Sequence, residues 1–535
     1  ARISTDLASD PTTELLYHES KTLARGHNVS VDWDVDEIWT EWIPNFEVMR
    51  SEEDASLAIH VPETESLADP ERIEASLDQL SGLIEEYSRW ASDIRKWKDG
   101  EGSETLNEKL IDRLGDHLKA IEENISRMKG GISLLRSSQT ASQAFMYANE
   151  AVLRSQQCPA VGRDNFKWKP FQISFIILNL TGLLHQEKGG STKHRSIIDL
   201  AWFPTGGGKT EAYLGLVAVL GFYRHLKGVD PTPSVQAIMR YTLRLLTLQQ
   251  GERATRLVAA MNIVSREKDL DCAEFSVGMW VGAGTSPNSL QDARRINDKV
   301  RTTNEPPRKE NPTLLERCPW CDHSPGEPRE KAAQWAIRDD GRFRGLCARE
   351  GCELNERYIP FSCIDEDIYQ HPPTFLIGTI DKFARLASEP RSRVLLGMNS
   401  GDVKRSPPDL VIQDELHLLT GPLGSLHGLF EATIEVLWQR MEHTAKYVAA
   451  TATIRGADRD SKLMYGRELN VFPPPGLTID DNFFSKYASD SPGRQHLAIL
   501  GNKANSRTIL DMPLANLLQV PFGLKRKFPD MARWI

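Results

Sequence analysis

The chain has 535 residues, of which 40% are hydrophobic and 26% charged, and its formal net charge at neutral pH is −9. This length allows roughly two to four domains with well-buried cores, so disulfide bonds are not needed for stability. The seven cysteines therefore suit a reducing compartment better than a secreted scaffold. Because the net charge is negative, the overall electric field of the protein does not attract nucleic acid, and contacts with phosphates would need local basic patches. No apolar run approaches the ~18–20 residues that span a bilayer, and we expect a cytoplasmic protein without a membrane partner.

The first part of the chain predicts short extended runs followed by helices. Apolar residues recur every three or four positions in two blocks between residues 71 and 128, which is typical of amphipathic helices. Gly130 and Gly131 predict the end of the second helix, and a third helix is expected over 141–153. We therefore expect residues 1–160 to form a mixed, then mainly helical, N-terminal region.

A glycine-rich loop lies between an apolar strand and an apolar helix in AWFPTGGGKTEAYLGL, residues 201–216. Consecutive glycines let backbone N–H groups point at one anion, and the following helix presents its positive end to the same anion. Lys209 would reach the β and γ phosphates of ATP, and the Thr210 hydroxyl would hold a bridging Mg²⁺. A glycine turn before an ordinary core helix is the alternative, which the order of strand, loop and helix disfavours. The predicted ATP-binding residues of this loop are Thr205, Gly206, Gly207, Gly208, Lys209 and Thr210.

An aromatic residue and a glutamine precede the loop at the start of another apolar helix, in WKPFQISFIILNL. The amide of Gln172 can donate and accept hydrogen bonds, which matches the edge of adenine, and Phe171 could stack on the base. A glutamine in the first turn of a buried helix is also commonly a cap, and this alternative stays open.

After the loop, continuous apolar segments alternate with helical ones. Such runs suit parallel strands covered on both faces, and the series predicts a doubly wound α/β sheet with its site at the carboxyl ends of the strands. We assign residues 161–284 and 374–456 to this sheet. The predicted strands after the loop are 234–241, 275–284, 374–380, 408–419 and 446–454.

Two adjacent carboxylates, Asp414 and Glu415, follow one of these strands in VIQDELH. Asp414 would hold the Mg²⁺ and Glu415 would orient the attacking water, since positioning and charge stabilisation dominate phosphoryl transfer. An acidic cap at a strand end is the alternative. His417 would relay the nucleotide state through Thr451 and Thr453, although threonines are also ordinary strand residues.

Four cysteines occur with the spacing C-x2-C-x25-C-x4-C inside a charged stretch, residues 285–373, that interrupts the strand series. Two such pairs of thiolates predict a closed tetrahedral Zn²⁺ site, which could supply ~10–16 kcal/mol of folding free energy to a segment with little apolar content. Free buried thiols are the alternative, and that interpretation fits Cys158, Cys272 and Cys363 better because they lack a spaced partner. The predicted zinc ligands are Cys318, Cys321, Cys347 and Cys352.

Four arginines cluster after one predicted strand and offer a local basic patch, despite the negative net charge of the chain. A solvated helix face is an equally good interpretation of the same pattern. These residues are Arg240, Arg244, Arg253 and Arg256.

Three of these motifs together resemble superfamily 2 helicases of the DEAH/DExH kind. The chain has PTGGGKT as motif I, DELH as motif II and TAT as motif III. The resemblance implies a RecA-like ATPase domain in which motif Ia and motif Ib contact the phosphate backbone of one strand. The residues that match these two motifs are Arg244, Gln249, Thr379 and Lys382.

Longer sequence segments around these motifs resemble the helicase subunit of the bacterial DISARM anti-phage system. They include FPTGGGKTEAYLGL, RYTLRLLTLQQ, PPTFLIGTIDKFA and PPDLVIQDELHLLTGPLGSL. That resemblance implies single-stranded DNA, or DNA with a single-stranded end, as substrate, a DUF1998-type partner subunit, a DNA methylase and a defence role. The expected function is an ATP-dependent DNA helicase or translocase. A nucleotide-gated DNA-binding scaffold that controls access of a partner nuclease or methylase, or an RNA helicase, are the alternatives.

A two-lobed helicase also needs a second RecA-like domain with an arginine finger, and no matching pattern occurs in this stretch. Because such an arginine is worth ~10³–10⁵ in rate, we expect this stretch alone to hydrolyse ATP poorly. We accordingly expect the chain to be part of a longer polypeptide, with residues 457–535 a linker or the start of a further domain.

Overall fold

A computed structural model describes most of the chain. Its described residues are 11–16, 18, 30–33, 37–41, 45–49, 51–184, 191–203, 208–229, 232–241, 244–270, 274–282, 284–387, 389–398, 403–419, 421–451, 457–478, 482–487, 493–497 and scattered positions in 507–519. They fall into two compact units. The larger unit is 54–477 with 482–484, and the smaller one is drawn from 1–53, 478–481 and 485–535.

The helices of the described residues are α1 Pro11–Leu16, α2 Thr64–Ala68, α3 Ile73–Asp99, α4 Glu101–Thr105, α5 Glu108–Ser137, α6 Gln139–Gln157, α7 Pro170–Leu183, α8 Thr192–Ser196, α9 Lys209–Leu226, α10 Arg244–Glu267, α11 Leu290–Thr303, α12 Pro328–Gln334, α13 Asp365–Gln370, α14 Ile380–Phe383, α15 Gly421–Arg440 and α16 Ala457–Tyr465. The strands are β1 Ser30–Trp33, β2 Ile38–Glu41, β3 Asn45–Val48, β4 Ser51–Glu53, β5 Ile198–Trp202, β6 Ala237–Tyr241, β7 Val277–Trp280, β8 Trp335–Ile337, β9 Phe343–Gly345, β10 Phe361–Ser362, β11 Phe375–Thr379, β12 Leu410–Gln413, β13 Lys446–Thr451, β14 Leu469–Phe472, β15 Ser485–Tyr487 and β16 Arg494–Leu497. Within this described part, no helix is both long and apolar enough to cross a bilayer.

The smaller unit contains three two-stranded antiparallel ladders. β1 pairs with β2, β4 with β15, and β3 with β16. Strands from both ends of the chain therefore meet in this unit.

An eight-stranded parallel sheet forms the centre of the larger unit, in the order β10-β7-β11-β6-β12-β13-β5-β14. Its central strands are buried, as expected when helices cover both faces. The predicted RecA-like, doubly wound α/β fold with a helical N-terminal region is confirmed. Two short strands extend the sheet beyond the predicted boundaries: β10 lies inside the predicted insertion, and β14 follows residue 456.

The N-terminal helices pack directly on helices of this sheet, α5 on α7 and α6 on α9. The predicted end of α5 at Gly130 and Gly131 is wrong, because the helix continues to Ser137. A Cβ on Gly131 would lie 2.2 Å from the carbonyl oxygen of Ile177 in α7. The glycine therefore permits close packing of two helices, and the buried contact maintains the helix through it.

A buried ionic cluster joins α5 to the sheet near the start of β5. The Asp199 carboxylate accepts hydrogen bonds from the Arg127 guanidinium at 2.7 and 2.6 Å, and the Lys446 ammonium lies 2.5 Å from it. The Asn470 amide donates to the same carboxylate at 2.7 Å. Arg127, Asp199 and Lys446 have side-chain exposures of 0%, so two cations compensate the Asp199 charge without solvent.

Candidate nucleotide site and cysteine cluster

The carboxyl ends of the parallel strands border a cleft of about 770 Å³. Lys209 and Thr210, at the start of α9, line it together with Asp414 and Glu415, which follow β12. The loop residues Thr205, Gly206 and Gly207, and also Thr453, lie outside the described residues. Gly208 is described and has φ +88°, a left-handed conformation that favours glycine.

The carboxylate pair has a constrained backbone. The Glu415 N–H donates a 3.0 Å hydrogen bond to the Asp414 carboxylate, and Glu415 itself has φ 50° and ψ 50°. A left-handed conformation at a non-glycine residue costs of order 1–3 kcal/mol and is concentrated at functional sites. The left-handed turn at Glu415 therefore sets the direction in which its carboxylate leaves the backbone relative to that of Asp414.

Two ionisable groups in the cleft have shifted pKa values. Burial and the neighbouring Glu415 raise the pKa of Asp414, whose residue is 9% exposed. Burial lowers the pKa of Lys209, against the opposing attraction of Glu415 and Asp414. Such paired shifts are a common property of sites that bind or transform ligands.

Tyr241 was not predicted as a site residue, yet it lines the cleft with Asp414 and opposes the rise in the Asp414 pKa that burial causes. It ends β6, which pairs directly with β12. The aromatic residue at the end of a strand was visible in the sequence, but the adjacency of β6 and β12 was not.

Gln172 contacts both the loop and its own helix. Its Nε2 donates to the Gly208 carbonyl at 2.8 Å, and its Oε1 accepts from the Lys169 N–H at 2.9 Å. It is therefore a cap, as the alternative interpretation proposed, and also a neighbour of the loop. Phe171 is 2% exposed and stacks on Phe203 with ring centroids 3.9 Å apart. Its stacking on adenine stays a prediction.

The end of β13, the strand between β12 and β5, connects the acid pair with the loop lysine. The Lys209 ammonium lies 3.4 Å from the Thr451 carbonyl oxygen, and His417 Nδ1 lies 3.2 Å from the Thr451 hydroxyl. The same His417 nitrogen is 3.4 Å from a Glu415 carboxylate oxygen. The structure thus brings these predicted residues together, while their relay of the nucleotide state stays a prediction.

The residues predicted to contact nucleic acid differ in exposure: one is on the surface and two are buried. Gln249 is exposed on α10, and Arg244 begins that helix with a side chain outside the described part. Thr379 and Lys382 are each 1% exposed, and the Lys382 ammonium is bonded to Asp365. Because both side chains are buried, they do not fit a surface contact in this structure, and Asp365 already neutralises the lysine.

The predicted basic patch requires a similar correction. Arg240 is fully buried, forms an ion pair with Glu431 and lies 4.7 Å from the Phe383 ring centroid. It is neither a phosphate contact nor part of a solvated face. Arg253 and Arg256 are also bonded within the protein, to Glu211 and to the Pro319 carbonyl.

The four predicted zinc ligands converge. Their sulfur atoms all lie within 4.8 Å of one another, with Cys318 to Cys352 at 3.8 Å and Cys321 to Cys347 at 3.6 Å. A tetrahedral Zn²⁺ site with Zn–S bonds of ~2.3 Å requires sulfur atoms ~3.8 Å apart, so the cluster could hold this ion.

The surroundings of the sulfur atoms also suit thiolates. Backbone N–H groups of Arg349 and Leu354 lie 3.4 Å from Cys347 Sγ and Cys352 Sγ. Without a metal, burial raises the pKa of Cys347 to about 12, so a cation would be needed to keep the thiol ionised. Among the remaining cysteines, Cys158 and Cys363 are buried, and Cys272 lies outside the described residues.

The fold is that of a RecA-like domain. A lysine follows strand β5 and its glycine loop, and a carboxylate pair follows β12, two strands away. No protein-family model matches the chain. The chain is similar to the DISARM protein DrmA of Bacillus paralicheniformis, with 31% identity over 579 aligned residues that cover 95% of this chain and 50% of that protein. The resemblance to a protein of the DISARM system is thereby confirmed, and the chain spans about half the length of this relative.

Solved helicase structures are also similar, at low identity. The crystal structure of the DUF1998 helicase MrfA bound to DNA matches 60% of this chain and 28% of its own, with 12% identity and a TM-score of 0.32. The helicase Lhr of Mycobacterium smegmatis, bound to ssDNA and AMP-PNP, matches 64% of this chain and 28% of its own, with 14% identity and a TM-score of 0.31.

Proposed function

We propose that this chain contributes the ATP-binding lobe of an ATP-dependent DNA helicase or translocase in an anti-phage defence complex. The observation that carries the proposal is the convergence of Lys209, Asp414 and Glu415 on one cleft at the carboxyl edge of the sheet. The similarity to a DISARM protein along 95% of the chain supports the defence role.

In the proposed mechanism each side chain has one task. The loop amides and the Lys209 ammonium bind the β and γ phosphates, and the Thr210 hydroxyl and Asp414 carboxylate are the oxygen donors that suit Mg²⁺. When bound there, Mg²⁺ would supply positive charge beside the phosphates. Glu415 orients the attacking water, and its left-handed backbone fixes that direction.

DNA is the proposed substrate, with a DUF1998-type subunit and a DNA methylase as proposed partners in the cytoplasm. Gln249 on α10 is the predicted contact whose exposed side chain fits binding to a phosphate backbone without sequence reading. The four-cysteine cluster is proposed to bind Zn²⁺ because its sulfur spacing matches tetrahedral coordination.

The test is ATP hydrolysis by the full-length protein with its partner, measured with single-stranded DNA, duplex DNA and RNA. Lys209→Ala and Glu415→Gln should each reduce DNA-stimulated turnover by roughly 10³-fold or more, because they remove phosphate binding or water positioning. Lys227→Ala, a change of a lysine outside the cleft at the C-terminal end of α9, serves as the matched control and should leave turnover unchanged. Unaltered turnover in both cleft variants would refute the proposal.

The same assay separates the other candidate functions. Stimulation by RNA that exceeds stimulation by DNA would favour an RNA helicase. DNA affinity that depends on nucleotide, without strand displacement, would favour a nucleotide-gated scaffold.

A further inference from the structure

The first pair of predicted zinc ligands lies in a short turn, residues 318–321, that we call the first knuckle. Its backbone makes two hydrogen bonds to elements outside the cysteine module. The Ala160 N–H donates to the Trp320 carbonyl at 3.0 Å, and the Arg256 Nε–H donates to the Pro319 carbonyl at 2.8 Å. The knuckle therefore contacts the turn after α6 and the middle of α10.

The turn after α6 leads directly into one wall of the nucleotide cleft. The N–H groups of Val161 and Gly162 both donate to the Cys158 carbonyl at 2.9 Å, and Gly162 has φ +65°. Residues Arg163, Asn165 and Phe166 follow and line the cleft. A displacement of this turn would move that wall, since only two residues separate Ala160 from Arg163 along the chain.

The second contact reaches the cleft through α10. Arg253 and Arg256 are three residues apart and lie on neighbouring positions of one helix face. Arg256 bonds the knuckle, whereas Arg253 lines the cleft and pairs with Glu211 in the first turn of α9. The knuckle thus contacts the two elements that carry Arg163 and Arg253 of the cleft wall.

We infer that the cysteine cluster, with zinc bound, positions the cleft: the first knuckle holds the 158–162 turn and α10 so that Arg163 and Arg253 face the nucleotide. This inference rests on the proposed function, because it assigns a role in nucleotide binding to residues around the proposed ATP site. Both arginines are positively charged side chains at a cleft for a polyanion. The zinc ligands act through the backbone carbonyls of Pro319 and Trp320, so they are positioning residues.

The experiment uses the full-length protein and three measurements: zinc content, affinity for a fluorescent ATP analogue, and amide hydrogen exchange of peptides covering 158–169. Cys347→Ser should lose zinc, and Arg256→Ala should retain it. Both should weaken nucleotide binding by about tenfold, within the ~100-fold that a small misplacement can cost, and accelerate exchange at 158–169. Exchange in β5 should stay unchanged, which separates this effect from general unfolding.

Arg317→Ala is the matched control, because Arg317 belongs to the same module but is exposed and pairs with Asp322. It should change none of the three measurements. Arg256→Lys retains a donor and should recover part of the affinity.

Loss of zinc from Cys347→Ser with unchanged affinity and exchange would overturn the inference. If Cys347→Ser does not fold, unchanged affinity and exchange in Arg256→Ala would do the same. Failure of the wild-type protein to bind the analogue would refute the proposed function instead, and the exchange measurement would still test whether zinc orders residues 158–169.

Discussion

The two ends of strand β5 lie near two buried clusters of charge with opposite character. At the amino end, Arg127 and Lys446 surround Asp199. Burial alone would raise the pKa of this carboxyl, but the two cations outweigh it and hold the pKa well below its usual range. At the carboxyl end, burial and Glu415 raise the pKa of Asp414. In the first cluster the protein itself compensates the buried carboxylate, whereas the second is suited to compensation by a ligand.

This difference separates a structural cluster from a functional one within the same sheet. Buried ion pairs need complete hydrogen bonding to offset desolvation, and Asp199 receives it from three side chains. In the cleft, two adjacent carboxylates and a lysine with a lowered pKa face a volume large enough for a nucleotide. Phosphates and Mg²⁺ would supply the charges that this arrangement calls for.

Replacement of one partner in the complete cluster should have the largest effect on stability. Arg127→Met removes both guanidinium hydrogen bonds from the Asp199 carboxylate, which stays buried beside Lys446, and breaking a buried pair costs ~3–5 kcal/mol. We expect a corresponding loss in the free energy of unfolding, measured by urea denaturation. Arg136→Ala is the control on the same helix: Arg136 is 39% exposed and pairs with Glu74 and Asp78, so we expect ~1 kcal/mol or less. Equal losses in both variants would contradict the comparison.

For the cleft, we expect an effect on the pH dependence of kcat/KM for ATP, which reports the pKa values of essential groups in the free enzyme. Asp414 must be ionised to hold Mg²⁺, so its raised pKa moves the acid limb to higher pH than for an ordinary aspartate. Lys209 must be protonated to hold phosphate, so its lowered pKa moves the alkaline limb to lower pH than for an ordinary lysine. Each limb should change by about tenfold per pH unit.

Lys209→Arg identifies the alkaline limb, because a guanidinium stays protonated throughout the accessible range. The limb should shift to higher pH or disappear in this variant, even if maximal activity falls. A limb that stays in place would assign the titration to another group.

The smallest expected effect is a gain in stability at the cost of activity. An acid whose pKa is raised on folding loses stability as pH rises through the interval between its unfolded and folded pKa values, so ionised Asp414 destabilises the protein at neutral pH. Asp414→Asn should therefore raise the free energy of unfolding by ~1 kcal/mol at pH 7, and the gain should shrink on acidification. Asp381→Asn, at an exposed site, should show no such gain in thermal melting.

The sequence was informative wherever a function needs particular residues at fixed spacing. The strand, glycine loop and GKT segment predicted the cleft, and the spacing of Cys318, Cys321, Cys347 and Cys352 predicted their convergence. The apolar runs predicted the parallel sheet, since strands buried on both faces have little choice of composition.

Pairings between distant segments were not predictable in this way. Arg127 and Asp199 are 72 residues apart, and a charged residue in an amphipathic helix ordinarily indicates a solvated face. For the same reason Arg240 and Lys382 were expected at the surface, although Glu431 and Asp365 neutralise them inside the protein. β14 was missed because a four-residue strand at a sheet edge has little periodicity to detect.

The environment of Gly208 limits which substitutions this position can tolerate. A Cβ at this position would lie 2.4 Å from the Gln172 amide nitrogen, and φ +88° strains any side chain there regardless of space. Shortening residue 172 would relieve the clash but not the backbone, and it would remove the bond to the Gly208 carbonyl. The position is therefore constrained twice by independent causes, and a single second-site suppressor at residue 172 cannot restore what substitution of this glycine removes.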